Sequence, residues 1–461
     1  MRLTWAQPED LVAHEFVALA EQGVDAGSLA AVAARWEQAG GSLHPERAGA
    51  GSDPAGPELR ARARAVLDEL ADLAPDSPDE PDDWDAIAAL LTAQRGPGAR
   101  VAEADRVAGA WFGRCAGCLL GKPVEKLPRE GIEEIARATG TWPVTGYFTA
   151  RGLPQDVAVR WPWNRRSAPT SLVENIDGMP EDDDLNFPLL ALDLLEAHGP
   201  GLTTEDVAQA WLANLPAGRV FTAERAAYRN LLEARPVPET ATHHNPFREW
   251  IGALIRADVY GWAHPGDPLA AARLAWVDAR LSHTRNGLYG AMWAAALCSA
   301  SLVAGSVDEV LDAGESVLPP RSRLLAVVRR GRELGASMRA GDLTDAGALD
   351  ALHTEFGHLH WVHTLNNAAL IACALAAAGA DGGFGRFGHG IALAVTAGWD
   401  TDSAGATVGS VLGALHGRDG IEAAWTDPLH GRLATSLPGP PERSLAGLAE
   451  RTRALPDRMR A

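Results

Sequence analysis

Apolar residues recur at helical spacing from Leu11 to Ala20, from Leu29 to Trp36 and from Leu59 to Leu73, and each stretch predicts an amphipathic helix. The pattern breaks between and after them. Ala48 to Pro57 (AGAGSDPAGP) reads as a flexible linker, and Ala74 to Asp83 (APDSPDEPDD) as an acidic, proline-rich loop or disordered segment. From about residue 101 the helices become richer in small residues. Gly109, Gly113, Gly117 and Gly121 recur every four residues, as do Gly405, Gly409, Gly413 and Gly417. Positions i and i+4 share a helix face, so each ladder lines a groove where another backbone or a ligand comes close. A glycine inside a helix costs about 1 kcal/mol relative to alanine, so two matched ladders predict tight helix packing in one core. The runs from Asn286 to Val307 and from Trp361 to Ala380 carry no Asp, Glu, Lys or Arg. That length prompts a membrane reading, but their Ala, Gly and Ser content makes buried helices the better account.

Strand signals are sparse: Val157 to Trp161 is short, and no hairpin turn joins alternating runs. The expected fold is all-α, a compact multi-helix orthogonal bundle with a metal cleft. A helical N-terminal extension (1–100) is read as separate from the chemistry. A catalytic domain (101–425) and a tail (426–461) with a short helix from Ser444 to Ala454 follow. Residues 142–180 are rich in proline, and Trp161-Pro162-Trp163-Asn164-Arg165-Arg166 there reads as an aromatic, cationic lid or as an ordinary surface loop.

Two acidic clusters change the picture from fold to chemistry. Glu181-Asp182-Asp183-Asp184 precedes a leucine-rich run, and Gly398-Trp399-Asp400-Thr401-Asp402-Ser403 precedes Val408, Val411, Leu412 and Leu415. Crowded carboxylates repel one another, and that cost is tolerated mainly where a cation binds or water solvates them. Hard oxygen donors at the mouths of buried helices point to a divalent cation, Mg²⁺ above others. The competing reading is helix capping, which explains one such cluster more readily than two.

Composition narrows the partners. The chain has 461 residues, 46% hydrophobic and 22% charged, with a formal charge of −19 that argues against non-specific nucleic-acid binding. Met1-Arg2-Leu3-Thr4-Trp5 leads into Pro8-Glu9-Asp10 without an apolar core of a signal peptide, so a cytoplasmic protein with no membrane partner is expected. Four scattered cysteines exclude a disulfide framework, and Cys115 and Cys118, though spaced as a redox or zinc pair, read as small buried residues of a glycine-spaced helix. His353, His358, His360 and His363 raise a transition-metal site, but helical geometry puts His358 about 200° from His360. They read instead as cleft lining or surface, and His243-His244 as loop.

Gly113-x-x-x-Gly117-Cys118-Leu119-Leu120-Gly121-Lys122-Pro123-Val124-Glu125, Glu181-Asp182-Asp183-Asp184, Ser282-His283 and Asp400-Thr401-Asp402-Ser403, in this order, resemble the ADP-ribosylglycohydrolase family over roughly residues 105 to 420. The resemblance implies an all-α domain with two Mg²⁺ ions, Mn²⁺ being a substitute. The family's Thr-Asp-Asp falls on Glu181, Asp182 and Asp183, and its Asp-x-Asp-Thr/Ser on Asp400, Asp402 and Ser403, which implies these as metal ligands. It implies catalytic roles for Glu125 and Asp183 at the scissile bond. It also implies ligand contacts from Gly252 and Arg256 (the phosphate segment) and from His283, while Trp399 places a large ring close to the site. Glu181, Cys118 and Trp399 depart from the family's residues. The implied partner is ADP-ribose, as a small molecule or linked to a protein, and the chemistry is hydrolysis at the ribose anomeric carbon. The alternatives are an N-glycosidase acting on another ribosyl metabolite and a non-catalytic ADP-ribose-binding relative. The partner of the N-terminal extension is unassigned.

Overall fold

A computed structural model describes residues 3–46, 49–91, 101–379 and 386–460. Met1-Arg2, Ala48 of the expected linker, the boundary expected near residue 100, Ala380 and Ala461 lie outside the described residues. The fold is all-α. Its strands, β1 (Arg432–Ala434) and β2 (Glu442–Ser444), form one antiparallel pair with Leu433 opposite Arg443. The stretch read as a weak strand signal is helical instead, Gln155–Arg160. Its Val157/Val159 alternation mimics a strand, but only Val157 is buried, while Val159 is 70% exposed.

Among its described residues the extension forms four helices: α1 (Pro8–Glu21), α2 (Ala26–Gln38), α3 (Pro57–Ala71) and α4 (Trp84–Leu90). Proline in the first turn starts α1 and α3, where a missing N–H costs nothing. Asp25 caps α2 and Asp83 caps α4 by accepting backbone N–H bonds. These helices lie on the rest of the chain through buried polar contacts. Glu15 pairs with Arg248 at 2.9 Å, Arg323 bridges Glu80 (2.9 Å) and Glu249 (2.7 Å), and the Tyr289 hydroxyl donates to the Pro81 carbonyl.

Asp82 makes this docking pH-dependent. It accepts the Arg285 backbone N–H; the residue stays exposed at the surface, yet partial desolvation of its carboxylate, followed by repulsion from Glu249, pushes its pKa up to about 6. A carboxyl group whose pKa is raised by folding stabilises the fold while protonated, and that contribution disappears as pH rises from its unfolded value through about 6. Solvent around the exposed Asp82 screens this interaction, so only a small loss of stability is expected at this site between pH 4 and 7. Asp82→Asn should flatten that part of the melting-temperature profile. Parallel profiles for the two proteins would refute the assignment.

The site is positioned by one helix pair. Helix α5 (Ala104–Gly121) runs antiparallel to the Thr401–His416 helix, and the two glycine ladders face each other. A Cβ on Gly109, Gly113 or Gly117 would come closer than 3.0 Å to the carbonyl oxygen of Gly413, Gly409 or Gly405. The ladders therefore fix the register, and the Thr401 hydroxyl closes the pair by donating to the Gly121 carbonyl at 2.9 Å. The C-terminal end of α5 and the N-terminal end of its partner meet at that point. The uncharged runs form the buried helices Arg285–Ser301 and Thr364–Ala378. Among the described residues no helix is long and apolar enough to cross a membrane. The Leu445–Arg453 helix also joins this packing, with the Trp111 indole donating to Thr452 at 3.0 Å.

Candidate active site

The chain leaves α5 through a short turn, Lys122–Val124, which places Glu125 at the edge of a cavity of about 230 Å³. The same cavity is lined by Asp182, Asp183 and Asp184 at the start of the Asp183–His198 helix, and by Asp400, Asp402 and Ser403 at the start of the Thr401–His416 helix. Capping accounts for part of the first cluster, since the Asp182 carboxylate accepts the Asp184 N–H at 2.9 Å. It does not account for the second, because the Asp400 side chain caps nothing. The Ser403 hydroxyl donates to Asp184 at 3.1 Å and ties the clusters together.

Electrostatics in the cavity are adverse. Burial pushes Asp183, Asp184 and Asp400 well above the usual carboxylate range, and neighbouring carboxylates push them further. Asp402 is pushed up to about 7 by burial and then by Glu125 and Asp182. Asp182 goes the other way: burial raises it, but the Lys122 ammonium paired with it outweighs burial and holds it low. Behind them the fully buried Arg114 pairs with Asp184 (3.3 Å) and Asp258 (2.8 Å). These two cations leave Asp183, Asp400 and Asp402 without a cationic partner at hydrogen-bond distance. An all-oxygen, carboxylate-rich set with unrelieved repulsion fits a hard divalent cation. Asp182, Asp183, Asp184, Asp400, Asp402 and Ser403 line the same cavity and could hold it, Asp182 and Asp184 being the carboxylates among them with metal-ligand spacing.

The remaining expected site residues divide. Glu125 receives the Asn164 amide N–H and the Lys126 ammonium at 3.1 Å. Glu181 lies in the wall, but its carboxylate is taken by Asn186, Ser436 and Arg219, each at 2.9 Å. Gly252 lines the cavity and leaves room for the Glu224 carboxylate, which a Cβ would overlap. Arg256, His283 and Trp399 are not in the wall. Arg256 is buried and donates to Asp278, Glu224 (2.6 Å), the Gly252 carbonyl (3.3 Å) and Ser282 (2.8 Å), so it fixes Glu224 at the wall and has no donor left for a phosphate. His283 sits behind Glu224 at 3.9 Å, and burial keeps its pKa well below the usual value. Trp399 lies outside the cavity wall and packs against His353, ring centroids 4.5 Å apart with the planes tilted by 35°. Adjacency to Asp400 in sequence gives no information about which side of the backbone the ring takes.

Several cavity residues were not among the expected ones. Lys122 lies inside the glycine motif, and Arg114, which sits behind the cavity wall, is the lone charge on the buried face of a glycine-spaced helix, which is the signal that marks it. Glu224 and Arg219 carry no local signal. In the proline-rich loop Asn164 and Arg166 reach the cavity, whereas Trp161 donates to Glu134 at 2.6 Å outside it. Trp5 also lines the cavity, so the extension is not separate from the chemistry.

The histidines do not converge. His360 stacks on Trp250 (4.1 Å, 9°), His363 caps the Thr364–Ala378 helix, and His353 bonds the Ala397 carbonyl. Among the described residues, the clusters with metal-ligand spacing are Cys118–Asp182–Asp184 and Asp68–His243–His244. In the latter, His244 bonds Asp68 of α3 at 2.7 Å, and the neighbouring Arg229 and Arg235 oppose a cation. Cys115 and Cys118 are free and buried; burial pushes Cys115 up to about 12 and Cys118 far up, so both are neutral thiols.

Comparison with known proteins gives one family. A family model described as ADP-ribosylglycohydrolase matches residues 99–459. No curated protein matches. A solved structure of an "ADP-ribosylglycohydrolase-related protein complex" aligns with 77% of this chain and 98% of its own, at 21% identity and a TM-score of 0.43.

Proposed function

From the premise that the chain belongs to the ADP-ribosylglycohydrolase family, we propose that it is a Mg²⁺-dependent hydrolase that breaks the glycosidic bond at the ribose anomeric carbon of an ADP-ribosylated protein side chain or small acceptor. The observation that carries this reading is the convergence of Glu125 with Asp183, Asp184, Asp400 and Asp402 on one cavity. Breaking that bond develops oxocarbenium character, and the surrounding carboxylates supply the negative field that stabilises it. Glu125 is bonded only by donors, Asn164 and Lys126, which suits a carboxylate that takes a proton from the attacking water. Bound Mg²⁺ would supply a hold on ribose hydroxyls and a more acidic water. Ser403 and Asp184, already bonded to each other, keep the two acidic clusters at a fixed separation.

Arg256, fully engaged by two carboxylates, backbone carbonyls and the Ser282 hydroxyl, favours a ligand without a pyrophosphate, such as a nucleoside. Against this, Arg166 lines the cavity and offers a cation for phosphate, and Lys126 and Arg219, each holding one carboxylate there (Glu125 and Glu181), add positive charge to the same wall. The ADP-ribose reading therefore stands ahead.

Titration calorimetry tests it. ADP-ribose is expected to bind in Mg²⁺ and to weaken at least tenfold after EDTA, while Mg²⁺ at a hundred times its Kd should stabilise the fold by about 2.7 kcal/mol. Bound Mg²⁺ without ADP-ribose binding would move the substrate to another ribosyl compound. Absence of Mg²⁺ binding would end the metal reading.

A further inference from the structure

Trp5 precedes α1, far in sequence from every acidic residue of the site, yet it forms part of the cavity wall with Trp250 and Trp361. It is held firmly there. Phe247 and Trp250 meet it edge-on (5.4 Å, 86° and 5.6 Å, 80°), its backbone N–H donates to the Gly49 carbonyl at 2.6 Å, and Thr4 beside it accepts from Arg225 at 2.6 and 2.9 Å.

The wall behind it is also braced by the extension. Arg248 pairs with Glu15 and Glu249 with Gln22 and Arg323; the next three residues, Trp250, Ile251 and Gly252, face the cavity. The Ile251 N–H donates to the Val362 carbonyl at 2.9 Å, which joins this stretch to Trp361. Lys126 lies 5.6 Å from the Trp361 ring and 3.1 Å from Glu125. The aromatic wall therefore begins beside the reacting end of the cavity and finishes on the extension.

Two features point to what it binds. Ribose and phosphate have no flat apolar face to place against indole rings, whereas every nucleobase does. The Trp361 indole N–H is also buried without an acceptor, a donor that a ligand nitrogen or oxygen would satisfy.

We propose that the extension is a specificity element of this pocket, with Trp5 completing an aromatic subsite, Trp5–Trp250–Trp361, that takes the planar base of the ribosyl ligand. The proposal rests on the ribosyl reading above. It assigns the extension to the catalytic unit and gives Trp5 a role in ligand discrimination.

The test compares ADP-ribose with ribose 5-phosphate, which lacks the base, on the full Mg²⁺-loaded chain; the second ligand is measured by displacement of the first. Trp5→Leu keeps apolar bulk but removes the π face. It is expected to weaken ADP-ribose about tenfold and leave ribose 5-phosphate unmoved, with Trp5→Phe in between. Equal weakening of both ligands would assign Trp5 a purely structural role and overturn the proposal, as would no change in either. If Trp5→Leu does not fold, Trp5→Phe decides: a loss of at least twofold confined to ADP-ribose supports the subsite, and an equal shift on both refutes it. Wild-type protein that binds Mg²⁺ but neither ribosyl ligand would remove the underlying functional reading, and this proposal with it.

Discussion

Glu125→Gln is expected to lower turnover by about two to four orders of magnitude while leaving Mg²⁺ and ADP-ribose affinity within a few-fold of wild type. The substitution is nearly isosteric, so the turn Lys122–Val124 and the glycine pairing behind it are undisturbed. What changes is proton-accepting capacity: the amide cannot take a proton from water, and one of its atoms becomes a donor facing the donors of Asn164 and Lys126. The measurement is single-turnover release of the aglycone beside calorimetry on the same preparation. Retained turnover would take proton handling away from Glu125. Lost ligand affinity of the same size as lost turnover would make it a binding group.

Gly117→Val should act through the fold. A Cβ at Gly117 meets backbone, the Gly405 carbonyl, closer than 3.0 Å, and no rotamer change relieves contact with a main-chain atom. The two helices would have to separate along their length, giving up the packing of both ladders and the Thr401–Gly121 bond. Overpacking of this kind with backbone displacement is expected to cost roughly 4–5 kcal/mol, a large share of the 5–15 kcal/mol that holds a typical protein folded. The variant should melt about 4–5 °C below wild type, or fail to accumulate as folded protein. Gly218→Ala, where an added Cβ meets nothing within 4 Å, is the control. A Gly117→Val protein melting within about 2 °C of wild type would show that the helix pair is not packed as described.

The glycine ladders were legible because their four-residue period is a property of one helix, and their mutual fit follows from both being small. The acidic clusters were legible as local concentrations of charge that no solvated loop explained. The residues that escaped sequence reasoning are those whose meaning comes from long-range geometry. Nothing near Glu224 or Arg219 in sequence tells that one lines the cavity and the other neutralises Glu181. Arg256 failed as a phosphate contact because Asp278 and Glu224 reach it from separate helices. Trp399 failed as a ligand contact because its ring takes the side of His353. The extension was set apart on composition, yet Trp5 crosses the whole chain in sequence terms to reach the cavity. The sparse strand signal at Val157 to Trp161 is a β-branched alternation in a short helix, and the pair β1–β2 was not legible in the sequence.

The pairing of α5 with the Thr401–His416 helix has a consequence for synthesis. The two partners are separated by more than half of the chain, so a growing polypeptide carries α5 with its groove uncovered until its partner leaves the ribosome. At 5–20 residues per second that interval is on the order of 15–60 s. Throughout it the cavity cannot exist, because Asp400 and Asp402 have not yet emerged, and nascent or prematurely terminated chains display the glycine face to chaperones and proteases. Messages that stop before the last third should therefore yield degraded fragments, never a shortened folded protein.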